Sequence, residues 1–177
     1  MVAGEGPQPH DPEGFIREFR EKNPAADSTV LEYLDEAVRC FNHQCQRAAA
    51  VLIGAASEKL ILMLLEAFED AIDDEDVKAE FQREYRFSIL SKFNSLKDRL
   101  DRMSDAGKFP YEVKEAVASE LPGMFQLVRR HRNSAGHPEL ATAIEPGTVF
   151  LSLRVFSEYV RRVHLLLDYF RTHPAAW

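Results

Sequence analysis

The stretch Arg129-Arg130-His131-Arg132-Asn133-Ser134-Ala135-Gly136-His137-Pro138 holds three arginines and two histidines, with no acid between Glu120 and Glu139. The chain around it is acidic, with 22 basic against 29 acidic residues and a net charge of -7. An arginine offers a planar fork of donors that matches phosphate oxygens and stays charged at any working pH. A histidine titrates near neutrality, so it can take a proton from a hydroxyl or return one. Together these groups suffice for attack of an RNA 2′-hydroxyl on its neighbouring phosphate without a metal ion. Arg132 would stabilise the charge that develops on the phosphate, and His137 would handle the proton. Asn133 would orient the histidine ring or the phosphate, and Arg129 and Arg130 would add phosphate-binding charge.

Helical geometry separates these residues. At roughly 100° per residue, Met124, Leu127, Val128, His131 and Ala135 share one face, which the pattern marks as buried. His131 is therefore expected to pack with a satisfied hydrogen bond. Arg130, Asn133 and His137 line a second, polar face, with Arg132 between the two. One copy of the chain offers a single histidine on the polar face, whereas transesterification uses both a base and an acid. A two-fold homodimer would supply the second. The plainer alternative is a polar helix end, where arginines favour the C-terminal dipole.

The elements that must position this stretch are read as helices almost throughout. Asp11-Pro12 is a cap and first-turn proline for a short helix through Phe15, Ile16 and Phe19, ended by Asn23-Pro24. Asp27 or Ser28 caps the next, with Val30, Leu31, Leu34, Val38 and Phe41 at helical spacing, and a break is expected between Asn42 and Gln46. The most apolar helix runs from Arg47 to Ile72. Glu58-Lys59 interrupts its uncharged run, which argues against a membrane span. Its first half is apolar all round and belongs at the centre of a bundle.

The acidic Asp73-Asp74-Glu75-Asp76 reads as a solvated turn before one long helix to about Met103, striped by Phe81, Tyr85, Ile89, Phe93, Leu96 and Leu100. A loop follows at Asp105–Pro110, then a short helix over Tyr111–Glu120 and a turn at Leu121-Pro122-Gly123. The basic helix stops near Gly136-His137-Pro138. Glu145-Pro146-Gly147 is a further turn, and a last helix covers about Thr148 to Thr172. No repeat, no strand alternation and no glycine-rich phosphate loop is found.

The expected architecture is thus all-α: a single-domain bundle of about five to seven helices over residues 11–177, behind a flexible lead-in at 1–10. The 45% hydrophobic content of the 177 residues supports a packed core. The lead-in lacks the basic and apolar regions of a signal peptide. Cys40 and Cys45, five residues apart on what reads as helix, fall on different faces, which fits a reducing compartment. A cytoplasmic protein without cofactor or metal is expected.

Arg132-Asn133-Ser134-Ala135-Gly136-His137 resembles the arginine, polar residue, three variable residues, histidine motif of the HEPN superfamily (higher eukaryotes and prokaryotes nucleotide-binding). The segments Tyr33-Leu34-Asp35-Glu36-Ala37 and Arg47 to Glu58 are similar to the paired early helices of many bacterial members. The resemblance covers roughly Ser28 to Phe170. It implies an all-α homodimer whose two motifs line a shared cleft. It further implies a metal-independent endoribonuclease that leaves a 2′,3′-cyclic phosphate, often a toxin or effector in antiphage and toxin–antitoxin systems, with an antitoxin or other defence protein as partner. By position, Arg132 and His137 match the catalytic pair, Asn133 the polar residue after the arginine, and Glu58 an acid facing the site. Glu58 also reads as a solvated residue in line with Glu66 and Asp73. Some members carry a tyrosine two residues after the histidine, where this chain has Glu139. Two other functions remain open on sequence: a non-catalytic dimeric module that binds nucleotide or a partner protein, and a helical assembly subunit with no ligand.

Overall fold

Caps and turn residues fix where the helices begin. In the computed structural model, which describes residues 8–83, 88–136 and 144–176, Asp11 caps α1 (Pro12–Lys22) by accepting from the Gly14 N–H at 3.1 Å. Asp27 caps α2 (Ser28–Asn42), accepting from Thr29 and Val30. Each satisfies backbone donors that a helix start leaves without partners. The break after α2 is a short turn with Gln44 at φ 60, where the Cys45 N–H reaches back to the Cys40 carbonyl at 2.8 Å. Cys45 therefore sits in the turn and not on the helix. Then α3 runs from Gln46 to Asp70. All regular elements among the described residues are helical.

Three expectations change from here. The helix expected to run unbroken to Met103 is two, α4 (Glu75–Arg83) and α5 (Ile89–Asp105). Ser88 is extended and caps α5, accepting from the Ser91 N–H at 3.3 Å; a residue in that conformation cannot lie inside a continuous helix. Tyr85, expected on the stripe, lies outside the described residues. Leu121-Pro122-Gly123 is helical and not a turn. The chain passes from α6 (Tyr111–Glu115) through a π-helical turn (Ala116–Glu120) into α7 (Leu121–Gly136). In that turn the Leu121 N–H bonds to the Ala116 carbonyl, five residues back. A proline inside an α-helix removes a hydrogen bond and crowds the preceding turn. A widened turn just before Pro122 accommodates it. Finally, α8 (Pro146–Phe170) begins at Pro146, so Pro146-Gly147 forms its first turn and not a separate one.

The chain divides into two compact units. The first comprises residues 1–59 and 124–161, so it holds α1, α2, the start of α3, most of α7 and the start of α8. Its core is built from Phe19, Leu34, Val38, Ile53, Phe125, Val128, Leu153 and Phe156, all buried. Burying each such side chain contributes roughly 1.5–3 kcal/mol. Phe19 stacks on Phe156 at 6.1 Å between ring centres. The buried Asn23, which ends α1, donates to the Phe19 carbonyl at 3.1 Å and to Ser157 Oγ at 3.0 Å. Residues 8–10, expected in the loose lead-in, are held: Asn42 donates to the Pro9 carbonyl at 2.7 Å, and the His10 ring lies 5.2 Å from that of Phe41.

The second unit comprises residues 60–123 and 162–177. Phe68 anchors its core, 5.3 Å from the Phe81 ring and 5.1 Å from that of Phe170. Leu96, Leu100, Val117 and Val163 are fully buried in the same unit. Arg162 and Glu120 form a two-point ion pair, and the Ala175 N–H bonds to the Ala71 carbonyl at 2.7 Å.

By length and composition alone α3 is able to cross a membrane, with a mean hydropathy of 1.9 over its best window. More than half of that window, 56%, is buried inside the protein, as the central helix of a bundle is.

Candidate functional site

An arginine on the inward line of a helix must be given both space and a partner. On α7 the buried residues are Leu121, Phe125, Val128 and Ala135. At roughly 100° per residue they form a stripe with Arg132 near its middle. Sequence reading built the buried face on Met124, Leu127, Val128, His131 and Ala135 and placed Arg132 between it and the polar face. Val128 and Ala135 are buried as expected. Met124 and Leu127 are only half-buried, and the buried Phe125 shifts the stripe toward Arg132. Arg132 thus points at α3.

Space comes from Gly54. A Cβ built there would stand 2.5 Å from Arg132 Cβ and closer still to its Cγ. The arginine stem therefore lies directly on the backbone of α3, where any larger residue would collide with it. The partner is Glu58, one helical turn further along the same face, where spacing of four residues brings side chains together. Its Oε1 lies 3.5 Å from Arg132 Nη2. The two side chains are 28% and 42% exposed, so solvent screens the pair and its contribution to stability is at most about 1 kcal/mol. Asn133 Oδ1 accepts from Arg132 Nη1 at 3.3 Å. Sequence reading had assigned Asn133 to the histidine or the phosphate; among the described contacts it serves the arginine. A guanidinium has more N–H donors than these two partners use, so an oxyanion can still be bound.

His131 lies at the edge of the stripe, half-buried and not fully enclosed. Its Nδ1 is 2.7 Å from Ser152 Oγ on α8, and that hydroxyl donates to the Thr148 carbonyl at 3.1 Å. Burial, then the charge of Arg130, hold the His131 imidazole below its ordinary pKa of 6.5. Arg129 is half-buried and Arg130 exposed on the outer side of α7. His137 lies outside the described residues, so the geometry of the Arg132–His137 pair is not part of the site as described.

Two residues of this site were missed by sequence reasoning. Gly54 had a signal, since an isolated glycine inside an apolar helix marks a close approach of another chain segment. Ser152 had none. Ser57 and Tyr159 are buried with their hydroxyls near each other, too loosely for a well-formed hydrogen bond, and burial pushes the Tyr159 phenol far up. Both cysteines are free thiols; burial raises the Cys40 thiol, with smaller effects from Cys45 and Glu36. Among the described residues no three His, Cys, Asp or Glu side chains converge as metal ligands.

The chain matches no protein-family model, no curated protein and no solved structure at a significant level.

Proposed function

We propose that the protein is an endoribonuclease of the HEPN type, cleaving RNA by attack of a 2′-hydroxyl on the adjacent phosphate. Arg132 binds the phosphate and stabilises the charge that develops on it, Glu58 and Asn133 hold the guanidinium, and His137 moves the proton. Arg129 and Arg130 draw in the RNA backbone. Two copies of the chain bring their sites together, so that one histidine acts as base and the other as acid. Such a chain would act in the cytoplasm in antiphage defence or a toxin–antitoxin system, restrained by a partner protein.

The observation that carries this reading is the seat of Arg132. A helix stripe otherwise filled by Phe125, Val128 and Ala135 carries a cation, and a glycine and a carboxylate on α3 accommodate it. A charge merely favoured by the end of a helix would not require that arrangement. The same ion pair, together with the net charge of -7, favours the second reading, a catalytically inactive dimeric module that binds nucleotide or a partner protein.

Incubation with RNA in excess EDTA decides between them. Cleavage with 2′,3′-cyclic phosphate ends, lost in His137→Ala and Arg132→Ala while both variants remain folded dimers, is the expected result. Thermal stabilisation by nucleotide without cleavage supports the second reading. A monomeric wild-type protein overturns the composite site.

A further inference from the structure

Adjacent residues of an α-helix project roughly 100° apart. On α7 two such neighbours are held by two different helices. Arg132 is gripped from α3, with its stem on Gly54 and its guanidinium 3.5 Å from Glu58. His131 is gripped from α8, where Ser152 Oγ is 2.7 Å from Nδ1. A helix held along one line can still roll about its axis. Held along two lines this far apart, it cannot.

Ser152 is buried, and its hydroxyl lies within hydrogen-bond distance of both His131 Nδ1, at 2.7 Å, and the Thr148 carbonyl, at 3.1 Å. Ser152 is in turn fixed to its own helix by the Thr148 bond, so the grip on His131 comes from a rigid element and not from a mobile side chain.

We propose that His131 and Ser152 are positioning residues that fix the rotation of α7 and so set the direction in which Arg132 presents its guanidinium. The role of Arg132 itself rests on the endoribonuclease reading above; the positioning does not require that either residue touch RNA. Displacement of a reacting group by about 1 Å is enough to lower turnover by up to ~100-fold, so a slight roll of α7 has a measurable cost.

The test uses the full chain with Ser152→Ala, His131→Leu and His131→Asn, the last keeping an N–H near the Nδ1 position. Turnover on RNA, the thermal midpoint, and the ¹⁵N–¹H signal of the Arg132 guanidinium are recorded for each. Ser152→Ala and His131→Leu are expected to lower kcat about 10-fold with KM within about two-fold, and to move the Arg132 signal. His131→Asn is expected to recover most of both. Unchanged kcat and an unmoved Arg132 signal in folded Ser152→Ala overturn the positioning role, even if Arg132→Ala abolishes cleavage. Should the wild type cleave no RNA, the endoribonuclease reading fails separately. The Arg132 signal then still decides this one: moved in Ser152→Ala and recovered in His131→Asn supports it, unmoved overturns it. Ser152→Ala carries the test alone if His131→Leu does not fold.

Discussion

The stem of Arg132 occupies the space that any side chain at Gly54 would need. This gives a prediction whose sign is informative. In an ordinary helix interior, glycine to alanine stabilises by roughly 0.5–1 kcal/mol. Here the added Cβ meets Arg132 Cβ, which is fixed to the backbone of α7 and cannot swing away. Gly54→Ala should therefore destabilise, by about 1–3 kcal/mol, read as a lower urea midpoint with an unchanged slope. A stabilised Gly54→Ala protein would show that α3 and α7 do not approach as described.

Removing the arginine should separate stability from activity. Arg132→Ala is expected to abolish RNA cleavage, by about 100-fold or more, while lowering folding stability by only about 1–2 kcal/mol, because the ion pair with Glu58 is half exposed and the main loss is the packing of the stem on Gly54. A double-mutant cycle with Glu58→Ala should give a coupling of about 0.2–1 kcal/mol that shrinks as salt is raised. Coupling unaffected by salt would place the pair in a drier setting than its exposure indicates.

The lowered pKa of His131 makes stability depend on pH in a defined direction. Its folded-state pKa is lowered, so below the ordinary histidine value of about 6.5 the unfolded chain binds the proton first. Stability should be fully present above that value and lost as the pH falls through it toward the lowered folded-state pKa. His131→Asn should flatten this part of the profile. Equilibrium unfolding between pH 5 and 8 checks it, and the same slope in the variant would assign the effect to another group.

Tyr159 is buried without a well-formed hydrogen bond. Tyr159→Phe removes a buried polar group and keeps the ring, so the folding free energy should change by less than about 1 kcal/mol, toward greater stability. Tyr159→Ala should cost roughly 3–5 kcal/mol through the cavity left behind. A large loss in Tyr159→Phe would reveal a strong hydroxyl interaction, measured simply as the difference in thermal midpoint.

Much of the fold could be read from local chemistry. Asp11 before Pro12, and Asp27 before an apolar stripe, announce helix starts because the capping interaction is made within a few residues. The misreadings arose where the deciding contact was either rarer or further away. Pro122 usually ends a helix, but a π turn immediately upstream keeps the chain helical. Ser88 falls within the stretch read as one long helix, whereas its side chain caps a new one. At the site, the residue types and spacing singled out Arg132 but gave its direction wrongly. A rule that assigns charged residues to the outside cannot place an arginine beside Phe125 and Val128. Its inward direction depends on Gly54 and Glu58, some eighty residues earlier in the sequence, and so is a property of packing. His131, read as hydrogen-bonded and packed, does bond to Ser152, but it lies at the edge of the stripe.

The glycine in α3 has a bearing on how such a sequence can drift. A glycine weakens the helix by about 1 kcal/mol relative to alanine, yet the atom that bars a larger residue at position 54 is the Cβ of residue 132, 2.5 Å from where a Cβ would stand. That Cβ is present in every residue but glycine. The glycine at 54 is therefore tied to the closeness of the two backbones and should outlast the arginine itself. Chains that keep the glycine after losing the arginine would carry a groove in α3 with nothing left to fill it.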